Sequence, residues 1–219
     1  LIILLFVGCS SSPTSQDNNI HLKSHLDEQQ IKDLTNHLQV LSADNMAGRK
    51  FGSSEITKAQ NYIISSLINS NVQPFQDKFR HSFKHKTFTS QNEGNNIIGI
   101  VKGTKFPDQY IVLSAHYDHL GKKGAKIYNG ADDNASGTAA VLAFGQAIAK
   151  KPLKYSVIFL FTDGEEINLL GAKAFISQQE KLLSQIRLNI FKVTFYWIYI
   201  TIHVPTVTRN INMIMSIKH

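Results

Sequence analysis

A chain of 219 residues is long enough for one sizeable domain with a buried core, and its 42% hydrophobic and 18% charged residues are ordinary globular proportions. The formal charge of +7 has no basic stripe behind it. All 16 acidic residues lie between Asp17 and Glu180, and the segment 191–219 adds only Lys192, Arg209 and Lys218, so nucleic acid is not an expected partner.

The chain begins with Leu1 to Val7, an apolar run too short to span a bilayer that reads as the hydrophobic part of an export signal. The run ends in Phe6-Val7-Gly8-Cys9, which resembles a bacterial lipobox. That resemblance implies cleavage before Cys9, lipidation of Cys9, and a place in the bacterial cell envelope on the periplasmic side of a membrane. Residues 1–8 are then the signal segment, and 9–20 a lipidated polar tether. Phe6 stands where Leu is usual, and no basic stretch precedes the run. Cys9 is the only cysteine, so no disulfide within the chain is possible.

The domain proper is expected over 21–190. Leu26, Ile31, Leu34, Leu38 and Leu41 predict an amphipathic helix over 26–41, and Ile56, Ala59, Tyr62, Ile63, Leu67 and Ile68 a second over 55–69. Between them, Ser42 to Ser54 reads as a loop. Phe75 to Phe88 has the scattered alternation of an edge hairpin. Strands are expected at 96–101, 110–114 and 155–161; the last two are apolar on both faces, as in the middle of a covered sheet. Residues 137–150 are Ala-rich and apolar nearly all round, which predicts a buried helix ended by Lys151-Pro152, and another helix is expected at 169–178. This strand–helix–strand–helix order predicts a three-layer α/β/α domain around a mainly parallel central sheet.

Three segments carry chemistry. Ser114-Ala115-His116-Tyr117-Asp118-His119 comes after one strand, Ala131-Asp132-Asp133-Asn134-Ala135-Ser136-Gly137 precedes the buried helix, and Thr162-Asp163-Gly164-Glu165-Glu166 comes after another strand. Ligands in open α/β sheets sit at the carboxyl ends of strands, so all three can converge on one edge. Neutral imidazole and carboxylate suit Zn²⁺ and similar divalent ions. Adjacent side chains point in different directions, so of Glu165 and Glu166 one can bind metal while the other faces a water as general base. Asp118, two residues after His116, is placed to hold the imidazole. Each segment alone is a weak signal, because a His after a strand is usually structural and Asp-Asp-Asn usually marks a turn or cap. Their order and strand context carry the reading.

Together these segments resemble the M28 family of zinc aminopeptidases over about residues 34–185. Asp44-Asn-Met-Ala-Gly48-Arg49-Lys-Phe-Gly52, Ser114 to Gly121, Asn129 to Gly137 and Phe161 to Gly171 are the stretches that carry the resemblance. It implies the zinc aminopeptidase/phosphorylase-hydrolase-like fold and a centre of two zinc ions. It implies that His116 binds one ion, Asp133 bridges both, Glu166 binds the other, and Glu165 is the general base. The peptide bond after Asp133 is expected to be cis. Substrates are expected to be peptides with a free N-terminus.

The same resemblance calls for an Asp ligand in an Asn-x-Asp-Met strand soon after the Glu pair, and for a His ligand later still. Here Leu188-Asn189-Ile190 runs into Phe191-Lys192-Val193-Thr194-Phe195-Tyr196-Trp197, with no carboxylate after Glu180. His203 and His219 stand outside family context. Residues 191–219 are therefore expected to be an aberrant tail, as a frameshift gives, on a domain incomplete at its C-terminus; a divergent strand pair is the alternative. Two ligands per ion would leave this chain with little activity. A glutaminyl-cyclase-like enzyme, or a non-catalytic scaffold or binding lipoprotein on a decayed peptidase core, are the rival functions.

Overall fold

The computed structural model describes residues 28–88, 91–179, 194–201 and 212–217. The signal segment, the tether and Cys9 lie outside the described residues, as do 180–193 and 202–211. The first helix, α1, is Glu28–Leu41, and the second, α2, is Ile56–Asn69. Each buries one apolar stripe, Leu38 and Leu41 on α1 and Ile56, Ala59, Ile63 and Leu67 on α2. The loop between them closes into a tight 3₁₀ turn at Asp44–Arg49 with left-handed backbone at Ala47 and Gly48. After α2 come β1 (Gln73–Pro74), β2 (Arg80–Lys86), β3 (Gln91–Val101), β4 (Phe106–His116), a small hairpin of β5 (Gly121–Lys123) and β6 (Lys126–Tyr128), α3 (Ser136–Lys150), β7 (Tyr155–Thr162) and α4 (Leu170–Gln178). Strands β8 (Thr194–Thr201) and β9 (Asn212–Ile217) fall within the segment expected to be an aberrant tail.

One sheet runs in the order β1–β3–β7–β4–β8–β9, with β2 also on β3. The sheet is mixed. Its centre is parallel, β7 and β8 flanking β4, while β3 pairs antiparallel with β7, β2 with β3, and β9 with β8. The expectation of a mainly parallel sheet therefore holds only for the centre. The reason lies in the connections: β4 reaches β7 through α3, a crossover long enough to bring the chain back in the same direction, whereas the short link from β2 to β3 allows only a hairpin. That hairpin also lengthens β3, whose polar start, Gln91 to Asn95, pairs with Lys86 to Ser82. Nothing in those polar residues alone announces a strand.

Strand β7 shows how the layers are divided. Val157, Phe159 and Phe161 join the core under α1, α2 and α3, while Ile158 and Leu160 join Phe175 of α4 on the opposite face. The period-two alternation of an all-apolar strand thus feeds two cores at once, which produces the three layers. Phe159 is fully buried in the larger core. Phe159→Ala is expected to lower the unfolding free energy by about 3–5 kcal/mol, measured by urea denaturation.

Candidate metal centre

Strands β4 and β7 are parallel neighbours, and His116 pairs with Thr162 at their ends. The ladder extends one step further, Tyr117 N–H donating to Thr162 O at 3.0 Å. The residues after both strands therefore emerge at the same carboxyl edge. Beyond β7, Gly164 at φ 67° turns the chain so that Glu165 and Glu166 open a short 3₁₀ turn. Gly130 at φ 55° turns the chain into Ala131–Ala135, which presents Asp133, and the Asp133–Asn134 peptide is cis. Asn134 is buried, and its side-chain oxygen accepts the N–H of Gly137 at 2.9 Å at the start of α3.

The sheet edge brings His116, Asp133, Glu165 and Glu166 together. His116 Nε2 lies 3.0 Å from Asp133 Oδ1 and 3.9 Å from Glu165 Oε2. The other Asp133 oxygen faces a second imidazole, with His119 Nδ1 at 3.9 Å, and that same nitrogen is 2.7 Å from Glu166 Oε1. Asp133 thus stands between two histidines with one oxygen toward each. His119 Nδ1 and carboxylate oxygens of Asp133 and Glu166 all lie within 4.8 Å of one another, close enough to share a metal ion.

His116 Nδ1 is 3.2 Å from the Asp118 carbonyl, which can only accept, so Nδ1 carries a proton. Nε2 then meets the Asp133 carboxylate either as a second N–H, in the imidazolium, or as a lone pair with a cation between them. Burial pulls the imidazole pKa down, but its hydrogen bond to Asp118 and the charges of Asp118, Glu165 and Asp133 outweigh this and hold it above the ordinary value. The carboxyl of Glu165 is also raised, first by burial and then by Asp118, Glu166 and Asp133, with His116 opposing. A raised carboxyl is suited to accepting a proton near neutral pH.

Asp118 is fully buried and lies beside the His116 imidazole. Its carboxylate is 3.6 Å from His116 Nδ1, further than its own carbonyl. It also accepts the N–H groups of Glu165 at 3.0 Å and Glu166 at 3.3 Å. One carboxylate therefore fixes the turn that displays the Glu pair. Asn96 secures the far side of that turn, accepting from Asp163 N–H at 3.2 Å and donating to Gly171 O at 2.7 Å.

Three residues in these contacts had no role in the sequence reading. His119 stands inside the Ser114 to Gly121 stretch, and its position one residue after Asp118 at a strand end was the available signal. Arg49 stands in the Asp44 to Gly52 stretch. It is fully buried and donates to four carbonyls, those of Leu41, Tyr117, Asn129 and Gly130. Asn96 carried no local signal, since its partners lie 67 and 75 residues away.

Residues 96–191 match the pattern of peptidase family M28. The aminopeptidase YwaD of Bacillus subtilis is 32% identical over 121 residues, covering 53% of this chain and 25% of its own length. A vacuolar membrane protease of Candida tropicalis is 28% identical over 187 residues, covering 81% of this chain and 20% of its own. The chain thus spans a quarter or less of these relatives. Among solved structures, a zinc-dependent exopeptidase from Parabacteroides distasonis superposes with a TM-score of 0.51 at 20% identity, over 61% of this chain and 46% of that one. A glutaminyl cyclase from an Acidobacteriales bacterium gives 0.52 at 22% identity, over 72% and 50%. At those identities the two structures share the fold with this chain.

Removing the Arg49 guanidinium leaves four carbonyls without their donor. Arg49→Ala is expected to cost about 3 kcal/mol or more of stability, read by chemical denaturation. A second expectation concerns Asp163, whose buried carboxyl is pushed up to about 7, chiefly by burial and further by Asp118. The folded state keeps a proton that the unfolded chain releases above its ordinary value of 3.8. This group's contribution to stability is therefore lost as pH rises from about 4 to about 7. Asp163→Asn should flatten that part of the profile and be more stable than the parent at pH 8, in urea melts across the range.

Proposed function

We propose that this chain, whose residues 96–191 match the pattern of peptidase family M28, is a metal-dependent aminopeptidase that removes N-terminal residues from peptides through a two-zinc centre. The observation that carries this reading is Asp133 placed between two imidazoles, with the Glu165–Glu166 turn facing it across the ends of β4 and β7. The donor set fits zinc, being imidazole nitrogen and carboxylate oxygen without thiolate. His116, Asp133 and Glu166 would hold the ions, and Asp133 has one oxygen available to each side.

Bound there, a divalent ion supplies positive charge that polarises a peptide carbonyl and lowers the pKa of a water. The proton steps fall to Glu165. Its raised carboxyl is partly exposed and reaches toward His116 Nε2, so it can take a proton from the attacking water and pass it to the leaving amine. Asp118 keeps that carboxylate aimed by holding the backbone N–H of Glu165. The Nδ1–H of His116, held by the Asp118 carbonyl, leaves Nε2 free to act as a donor to a cation.

Lipidation at Cys9 would hold the domain in the cell envelope, at a membrane surface facing exported peptides. Among the described residues no helix is long and apolar enough to cross a membrane. Hydrolysis of amino-acid anilides by the purified chain is expected to require added Zn²⁺ and to fall by roughly 10²–10⁴ in Glu165→Gln. Turnover indifferent both to metal and to Glu165 would defeat the proposal.

A further inference from the structure

We infer that His119 is a metal ligand, completing with Asp133 and Glu166 a three-ligand site for a divalent ion of the zinc class. This rests on the reading of the chain as a metallopeptidase and goes beyond its ligand set, in which His119 has no part. Asp133 and Glu166 alone give the ion on that side two protein ligands. A zinc with an open position normally has three. His119, three residues past the end of β4, supplies a third, its Nδ1 facing both carboxylates.

The geometry is close to what an ion needs. Tetrahedral zinc with bonds of about 2.0–2.1 Å places its ligand atoms about 3.3 Å apart. His119 Nδ1 is 2.7 Å from Glu166 Oε1 and 3.9 Å from Asp133 Oδ2, values on either side of that spacing, and all three groups lie within 4.8 Å. Without an ion, a proton on Nδ1 links His119 to Glu166. Binding replaces that proton with the metal and widens the shorter contact by roughly half an ångström.

The imidazole is also held in place. His119 N–H donates to Arg49 O at 3.0 Å, fixing its backbone to the buried turn before α2. Its ring lies against Gly130, where even one added carbon would come within 2.6 Å of the ring atoms. A ligand on so restricted a ring loses little freedom on binding. The other half of the centre is less complete. At Nε2, His116 has Asp133 at 3.0 Å, and the next carboxylate on that side is Glu165 at 3.9 Å, the residue reserved for proton transfer. The first ion should therefore enter on the His119 side.

The test is Zn²⁺ titration of the full chain by calorimetry against a competing chelator, with ¹⁵N-imidazole NMR of the same samples. The expected result is one tight ion per chain, with affinity reduced at least about 100-fold in His119→Ala, more than the loss expected from removing a group that merely orients a ligand. Glu166→Gln should lose affinity comparably, and His116→Ala should lose less. On adding zinc to the parent, His119 Nδ1 should give up its proton and shift as a bound nitrogen. Circular dichroism without metal checks that each variant keeps its fold; if His119→Ala does not, the NMR signal of the parent decides. Unchanged affinity in a folded His119→Ala, or an Nδ1 that keeps its proton when zinc is bound, overturns the assignment of His119 and leaves the peptidase reading standing. A parent chain that binds no zinc overturns both.

Discussion

A single buried cation organises the edge of the sheet where the candidate chemistry sits. Among the described residues, Arg49 has no carboxylate in its hydrogen-bonding shell. It directs its donors to the carbonyls of Leu41, Tyr117, Asn129 and Gly130, which belong to the end of α1, the end of β4 and the loop that leads to Asp133. Burial lowers its pKa to about 10, with Asp118 and Asp133 acting in the opposite direction, so it stays charged at neutral pH. A planar donor fork of fixed shape can satisfy several carbonyls only if they stand in one arrangement. The guanidinium therefore sets the relative positions of three segments far apart in sequence, and its charge lies under the two aspartates.

Above that cation, carboxylates are crowded. Asp118, Asp133 and Glu166 each raise the cost of ionising Glu165. Such crowding lowers stability unless positive charge answers it. Arg49 provides part of the answer from within the chain, and the imidazoles of His116 and His119 lie against Asp133 and Glu166. The backbone N–H groups of Glu165 and Glu166 provide another part by solvating Asp118. The fold thus holds negative charge at the sheet edge, where a divalent cation would be the natural complement, and places a carboxyl of raised pKa beside it.

The supporting contacts are mostly between side chain and backbone. Asn96 clamps both ends of the loop that carries the Glu pair, Thr138 donates to His116 O at 2.8 Å from α3, and Arg49 reaches only carbonyls. Contacts of this kind fix the course of the main chain, and the functional side chains take their directions from it. Asp118 does the same for the backbone of the very residues that would perform the chemistry.

Much of this was legible in the sequence because the signals are local. Apolar periodicity placed α1, α2, α3, β4 and β7 within a few residues, and the doubly apolar runs required a covered sheet. Two motifs at strand ends and one before the buried helix picked out His116, Asp133, Glu165 and Glu166, because residue type and local context are both read along the chain. The sequence could not show that Gln91 to Asn95 extend β3, since their stability comes from pairing with β2. It could not show that β3 runs against β7, because strand order depends on which connections pack. Nor could it assign His119, Arg49 or Asn96, whose partners lie up to 81 residues away or belong to the backbone. Local propensity and side-chain chemistry, which the order of residues contains, determined the elements and the inventory of the site. Which imidazole faces which carboxylate was decided only in tertiary structure, because those distances are set by packing and by one buried guanidinium.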